Sequence, residues 1–444
     1  MLVLSPGSDD FAGGFAFRQM PSRDRLISMG GRLHPGGVFF RGVPVQGVFG
    51  IIFVHIVKGR PGLPSIMCLV LREWNGFMTK KTICLACGGQ STEHQVSLLS
   101  AINVHGAIPR REYEVLVVGI DQHGGWNWYP DGAFHIHGHD PDRIALAPGS
   151  VPVFPALVPG GSALVELGNP GSRHFFDVLF PVLHGANGED GAIQGLAQML
   201  NCPCVGCGIA SSAICMDKAI TKRLLEAAGI RTARGVCLRA GSGPAGDEIV
   251  AQLGLPVFVK PAGGGSSVGA SKATSVSELE RALAEAFQYD EKVLVEEYVV
   301  GREIECAVLG NRGPFCAVPG EVIPKVGFYS YEAKYTMADG AELRAPADLT
   351  PAQVEEVQAL ALQVYQALDC EGMARVDFFL RADGVWVLNE VNTIPGFTSI
   401  SMYPRLHGLS GIPYPDLVRK LLCLCIDKHA EESKLVRQGR RPGR

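Results

Sequence analysis

The sequence predicts an α/β protein built from several domains, and three observations predict it. Short apolar runs end on glycine turns that lead into helix-period patterns, at residues 82–108 and again from 177. Repeats of strand, glycine turn and helix point to a parallel sheet with binding groups at the strand C-terminal ends. A length of 444 residues exceeds what one hydrophobic core serves and suggests two or three domains. The third observation is a pair of apolar runs, 374–381 and 385–391, on either side of Asp383-Gly384. An Asp-Gly pair between such runs is a strong signal for a two-residue hairpin turn.

The elements follow in order. Residues 1–77 are rich in Gly and Pro and carry no sustained period of 2 or 3.6. Two readings stand for them, an upstream in-frame extension ahead of a start at Met78 and an Arg-rich, acid-poor transit peptide. Under both, the segment is expected to be disordered or not native. Residues 78–202 read as an N-terminal α/β domain, with strands at Thr82–Ala86, Tyr113–Ile120 and Asp177–Leu183 and a helix from Val96 to Ile108. The stretch 121–175 reads as loop. Residues 203–300 read as a central lobe. Its helix runs from Ser212 to Ala228 and stops at Gly229, and its strands are Leu255–Lys260 and Lys292–Glu297. Between them Ser277-x-x-Glu280 reads as a capping box for a helix with Leu279, Leu283 and Phe287 on one side. Residues 301–430 read as a C-terminal lobe. There Thr350-Pro351-x-Gln353 caps a helix whose Val354, Val357, Ala361, Val364 and Leu368 form one stripe. Residues 431–444 are a basic tail expected to fray.

Composition narrows the function. Apolar residues make up 47% and charged residues 19%, which is globular rather than disordered. A formal net charge of −4 leaves no strongly basic stripe for nucleic acid. No apolar stretch reaches the roughly 18–20 residues of a membrane span. Asp9 and Asp10 precede any apolar run, contrary to a secretory signal. Thirteen irregularly spaced Cys, an odd number, do not form a disulfide framework, and reduced thiols in the cytoplasm are the simpler reading. The pairs Cys84/Cys87 and Cys204/Cys207 have zinc spacing, but Cys84 lies inside an apolar run, which favours structural thiols. His135, His137 and His139 sit among Gly, Asp and Pro and read as a solvated loop.

The hairpin carries the most local chemistry. With Asp383 and Gly384 as the turn, residue 382 pairs with 385, Asp377 faces Glu390, and Arg375 faces Asn392. Two carboxylates placed opposite each other repel, so a cation or a proton is expected between them. Asp, Glu and Asn are hard oxygen ligands of the kind that suit Mg²⁺ with phosphate oxygens. The competing reading is a solvated face on which Arg375 pairs with both acids. The run from Lys260 to Gly269 is a Gly/Ser loop after a strand, able to cradle phosphate or to serve as a connector. It matches neither a Walker A loop nor a dinucleotide fingerprint. His184 stands just off a strand end, and Glu189 and Asp190 sit naturally in the first turn of the helix that follows. The helix N-terminus after Gly88-Gly89 can receive an anion, with Glu93 then poised for an ammonium group, and capping alone explains Ser91 or Thr92 equally well.

The motifs themselves are long and ordered: GGQSTEHQVSLLSA at 88–101, HGANGEDGAIQG at 184–195, MDKAITKRLL at 216–225 and KPAGGGSSVG at 260–269. They continue with YSYEAKY at 329–335, ARVDFFL at 374–380 and NEVNTIPGFTSISMYP at 389–404. With them the chain from about 79 to 425 resembles the longer form of D-alanine–D-alanine ligase, in the ATP-grasp superfamily. The resemblance implies a three-domain ATP-grasp architecture, with a parallel N-terminal α/β domain and two α+β lobes enclosing ATP. It implies two Mg²⁺ on Asp377, Glu390 and Asn392, with Mn²⁺ able to substitute. Lys218, Lys260, Ser267, Glu296, Glu297, Tyr298, Glu303 and Asn389 are implied at the nucleotide. Glu93 is implied at the first D-alanine ammonium, with His184 nearby. Arg375 and the Gly396 N–H are implied at an oxyanion, and Ser401, Ser399 and Lys334 at the second D-alanine. Ser266 and Tyr335 are implied to link to Glu93 and close a lid. The implied reaction makes a cell-wall precursor through an acyl phosphate, in a cytoplasmic homodimer. Tyr335 favours the dipeptide over a D-alanine–D-lactate product, and Gly263-Gly264 stand where relatives often carry bulkier polar residues. A nucleotide-binding protein without turnover is the remaining alternative.

Overall fold

In the computed structural model of the chain the described residues are 2–3, 52–57, 66–71, 80–265, 268–325 and 341–435. They belong to two units, Met1–Thr79 and Lys80–Arg444. In the first unit, strands Leu2–Val3, Ile52–Val57 and Ile66–Leu71 pair antiparallel, with Ile66–Leu71 in the middle. IFVHIV and IMCLVL are nearly continuous apolar runs, so a search for alternation misses them.

The second unit opens with β1 (Lys81–Gly88), α1 (His94–Ala107) and β2 (Tyr113–Ile120). Then come β3 (Trp126–Tyr129), β4 (Val151–Val158), β5 (Gly161–Glu166), β6 (Asn169–Phe175), β7 (Val178–Val182) and α2 (Ala192–Met199). They form one seven-stranded sheet in the order β6-β5-β4-β3-β2-β1-β7. Only β7, β1 and β2 are parallel; the rest is an antiparallel extension made by residues 121–175. That stretch reads as loop from sequence because β4 carries Pro152 and Pro155 and β6 is a polar edge strand. Cys84 and Cys87, three apart on β1, fall in separate cores on opposite faces of the sheet, so they cannot share an ion.

The central lobe contains α3 (Ile209–Met216), α4 (Lys218–Ala227), β8 (Gly235–Arg239), α5 (Gly246–Leu253), β9 (Val257–Pro261), β10 (Ser271–Ala273), α6 (Val276–Ala286) and β11 (Lys292–Glu297). Its antiparallel sheet runs β8-β11-β9-β10, and Ile249 and Leu253 of α5 with Leu279 and Ala286 of α6 fill one core against it. The single helix expected over 212–228 is two helices. Asp217 leaves the helical region and accepts the Ala219 and Ile220 N–H groups at 3.1 Å, as an N-cap does. The cap of α6 is likewise Ser275, not Ser277: its hydroxyl accepts from Glu278 N at 3.2 Å.

The C-terminal lobe contains β12 (Arg302–Leu309), β13 (Phe315–Cys316), β14 (Gly320–Pro324), β15 (Ala341–Arg344), α7 (Pro351–Ala367), β16 (Met373–Leu380), β17 (Trp386–Asn392), α8 (Met402–Leu409) and α9 (Tyr414–Glu432). Its sheet runs β15-β14-β12-β16-β17, and α7 starts on the Thr350/Gln353 capping box read from the sequence. The β16–β17 hairpin places the site. Its turn holds three residues, 382–384, not two: Arg381 N–H donates to Val385 O, and Gly384 turns at φ +81° with its N–H on Arg381 O. That slips the register by one, so Leu380 pairs with Trp386 and Phe378 with Leu388. A bulge at Asn389 slips it back, and Asp377 pairs with Glu390 as expected. The bulge also switches parity. Leu388 and Val391 both enter the core with Phe378 and α7's Val357, Ala361 and Val364, while Asn389, Glu390 and Asn392 line a cavity.

Candidate active site

A cavity of about 660 Å³ lies where α1, the loop after β7, the β16–β17 hairpin and the loop after β17 converge. Its floor is charged. Arg375 donates to both Asp377 oxygens, at 2.8 and 2.7 Å, and its Nε lies 3.4 Å from Glu305. Burial alone would lower the Arg375 pKa, but the Asp377 and Glu305 carboxylates outweigh it and raise it well above the ordinary value. Glu305 pairs with Asp377 in register, so Glu305, Asp377 and Glu390 form a row across β12, β16 and β17. The sequence signal for Glu305 was its place two residues from Glu303 on one strand.

The central lobe supplies lysines. Lys218 Nζ donates to Gly264 O at 2.5 Å and stands 3.7 Å from Glu390. Burial lowers its pKa, and Glu390 opposes that. Lys260 and Lys222 both reach the buried Glu296, Lys260 at 2.7 Å. Burial would raise the Glu296 pKa, yet the two lysines hold it below the usual carboxylate value. Lys222, one helical turn beyond Lys218, escaped the sequence reading. Glu297 pairs with Arg234 at 2.8 Å, and Lys272 lies 4.0 Å above the Tyr298 ring. Glu303 and Asn389 line the cavity, and Lys260, Glu296, Glu297 and Tyr298 are not among its lining residues.

The far wall is built from loops. Glu93 is buried, stands at the N-cap position of α1 without a side-chain cap bond, and lines the cavity. A Cβ at Gly185 or Gly265 would approach its carboxylate to 2.8 or 2.7 Å, and Gly185 also sits at φ +72°, so the two glycines let their loops pass close to Glu93. His184 is buried; burial lowers its pKa, which the Glu93 carboxylate opposes. Both its ring nitrogens are engaged by protein, Nε2 with Ser100 Oγ at 3.0 Å and Nδ1 with Ile394 O at 2.9 Å. Ser401 accepts Thr398 N–H at 2.9 Å, and Ser399 is exposed at the cavity edge. Glu189, read from sequence as a first-turn acid, instead points inward. It accepts Gly185 N–H and Ile394 N–H, both at 2.9 Å, and burial followed by the Glu93 charge pushes its pKa up to about 7. His139 of the supposed solvated loop is exposed at the cavity mouth. Ser266, Ser267, Lys334 and Tyr335 lie outside the described residues.

The donor set suits a divalent cation. Among the described residues no three His, Cys, Asp or Glu side chains cluster as a metal group. Asp377 and Glu390 face each other, however, and Asn392 binds Asp377 through Nδ2 at 3.0 Å, which leaves its amide oxygen as a third hard donor.

Two α+β lobes joined by Lys218 and Glu390, an acidic hairpin and a glycine loop, set beside an N-terminal α/β domain, define an ATP-grasp enzyme. The comparisons agree with this architecture. Family descriptions "D-ala D-ala ligase N-terminus" and "D-ala D-ala ligase C-terminus" match residues 82–207 and 224–423. D-alanine–D-alanine ligase of Shouchella clausii is 46% identical over 362 residues, covering 81% of this chain and 98% of that one. D-alanine–D-alanine ligase A of Escherichia coli is 43% identical over 362 residues, covering 81% and 99%. Among solved structures, the D-alanine–D-alanine ligase of Coxiella burnetii superposes with a TM-score of 0.71 at 36% identity, over 81% of this chain and 97% of that one. The VanG D-Ala:D-Ser ligase of Enterococcus faecalis gives 0.68 at 35% identity, over 78% and 99%. The chain belongs to the D-alanine–D-alanine ligase family.

Proposed function

We propose that the chain joins two D-alanines at the expense of ATP, making D-alanyl-D-alanine for peptidoglycan. The observation that carries this reading is one cavity bounded by an acidic, cation-suited hairpin on one side and by Glu93 and the Gly396 loop on the other. A carboxylate is a poor electrophile. In the first step its oxygen attacks the γ-phosphorus of ATP, the bond to ADP breaks, and an acyl phosphate forms. The nucleotide meets Glu303 and Asn389 at one end and Lys218 near its phosphates, with Lys260, Ser267, Glu296, Glu297 and Tyr298 contributing from the central lobe. A divalent cation held by Asp377, Glu390 and Asn392 supplies charge neutralisation at the phosphates. Two Mg²⁺, replaceable by Mn²⁺, are the expected complement.

Glu93 binds the ammonium of the first D-alanine, and Ser399, Ser401 and Lys334 take the carboxylate of the second. The second amine, after losing a proton, attacks the acyl carbon. The carbonyl electron pair moves onto oxygen, where Arg375 and the Gly396 N–H stabilise it, and collapse expels phosphate. Ser266 and Tyr335 close the lid over the acyl phosphate and exclude water. A homodimer in the cytoplasm is the expected setting.

The test is phosphate release from ATP with D-alanine, L-alanine and D-lactate, singly and in pairs. D-alanine alone is expected to support release together with dipeptide. Release that requires D-lactate would move the product to a depsipeptide, and no D-alanine-dependent release would defeat the reading.

A further inference from the structure

The loop that carries Gly396 is gripped by the N-terminal domain on both sides of that residue. Ile394 N–H donates to Glu189 at 2.9 Å, and Phe397 N–H donates to Ser100 Oγ at 3.2 Å. Ile394 O accepts from His184 Nδ1 at 2.9 Å, and a carbonyl only accepts, so the proton sits on Nδ1. His184 Nε2 is then an acceptor for the Ser100 hydroxyl hydrogen at 3.0 Å. The hydrogen bonds therefore run from Phe397 N–H through Ser100 and His184 back to Ile394 O, closing a ring around Pro395-Gly396. Glu189 adds a second tie, since its other oxygen accepts Gly185 N–H at 2.9 Å.

From Ile394 to Phe397 the backbone N–H groups divide cleanly. Ile394 and Phe397 each have an acceptor in the N-terminal domain, and Pro395 has no N–H. Gly396 N–H makes no hydrogen bond among the described residues. Between Ile394 and Phe397 the clamp occupies every other backbone donor, and Gly396 is among the residues that line the cavity.

We propose that Glu189, with Ser100 and His184, is a positioning group that fixes the Gly396 N–H at the acyl-transfer centre. This rests on the D-alanine ligation reading above, because it assigns the donor to the second step. Oxyanion donors act through preorganisation, so a loop free to drift loses their effect without losing the donor itself.

The experiment pairs Glu189→Gln with Ser100→Ala in the full chain. The glutamine amide would set a donor against one of the two N–H groups that Glu189 accepts. We expect dipeptide kcat to fall about 10²-fold in Glu189→Gln and about 10-fold in Ser100→Ala. ATP affinity, read by equilibrium binding, should change less than about twofold, and phosphate released per dipeptide should rise above the parent value as acyl phosphate is lost to water. Amide hydrogen exchange across 393–397 should be slow in the parent and faster in both variants. If Glu189→Gln does not fold, Ser100→Ala carries the same readouts. Unchanged kcat and unchanged exchange would overturn the clamp, as would a fall in kcat matched by an equal loss of ATP affinity. Faster exchange in the variants of a parent that makes no dipeptide would sink the ligation reading and leave the clamp intact.

Discussion

The β16–β17 hairpin and the loop that follows it are neighbours in sequence, yet they hold their functional atoms by opposite means. On the hairpin, register does the holding. Asp377 faces Glu390 and Arg375 faces Asn392 because paired strands leave no other choice, and charge meets charge within about one side-chain length. On the loop 393–401 no ladder exists. Backbone donors there are placed by side chains of another domain, Glu189 and Ser100, and by the internal Thr398–Ser401 bonds. On the mechanism proposed above, phosphate transfer, which needs dense fixed charge, would fall to the ladder, and acyl transfer, which needs one aimed N–H, to a loop held by side chains of the N-terminal domain.

Changes on the hairpin should therefore be chemical and local. Glu390→Gln keeps shape and removes one carboxylate. Turnover is expected to fall about 10³-fold, with the circular dichroism spectrum and melting temperature close to the parent. Near-normal turnover would remove the cation from that row. Arg375→Lys keeps a charge but cannot grip both Asp377 oxygens, and kcat should fall about 10²-fold with ATP binding nearly unchanged. An equal loss of ATP affinity would mean that Arg375 serves the nucleotide instead. Divalent ion titration followed by ATP binding sharpens the same point: Asn392→Ala should raise the ion concentration required about 10-fold.

The smallest effect lies downstream of the loop. His407 on α8 is buried, its ring nitrogens lack hydrogen-bond partners among the described residues, and burial lowers its pKa from 6.5 to about 4. The folded value is below the unfolded one, so the stability tied to neutral His407 is present above pH 6.5 and is lost as pH falls toward 4. By pH 5 the cost is about 2 kcal/mol. Denaturant melts at pH 7.5 and pH 5 should show that loss in the parent and not in His407→Leu. A parallel loss in the variant would assign the acid sensitivity elsewhere.

The same contrast governs what was legible in the sequence. The hairpin could be read because strand alternation and an Asp-Gly turn are local rules, and Asp377 and Glu390 emerged as partners. Even there the agreement came through two compensating slips, a three-residue turn and the Asn389 bulge, neither of which leaves a mark on a count of residues. The α7 cap was legible for the same local reason, whereas the break at Asp217 was masked by helix-period residues on both sides. Glu189 was misjudged because a first-turn acid looks alike whether it caps its own helix or reaches another domain. Ser100 left no signal, since a Ser within a helix becomes informative only once Phe397 is brought to it. The strands of 121–175 were hidden by Pro152 and Pro155 on β4 and by the polar edge strand β6.

The division of labour between hairpin and loop is tested most directly by trapping the acyl phosphate with hydroxylamine during a single turnover. Parent protein with ATP and D-alanine should yield D-alanine hydroxamate at the expense of dipeptide. Glu390→Gln should yield neither product, and Glu189→Gln should yield hydroxamate at near-parent rate with little dipeptide. Equal loss of hydroxamate in both variants would contradict the account, because the loop would then be serving the first step as much as the second.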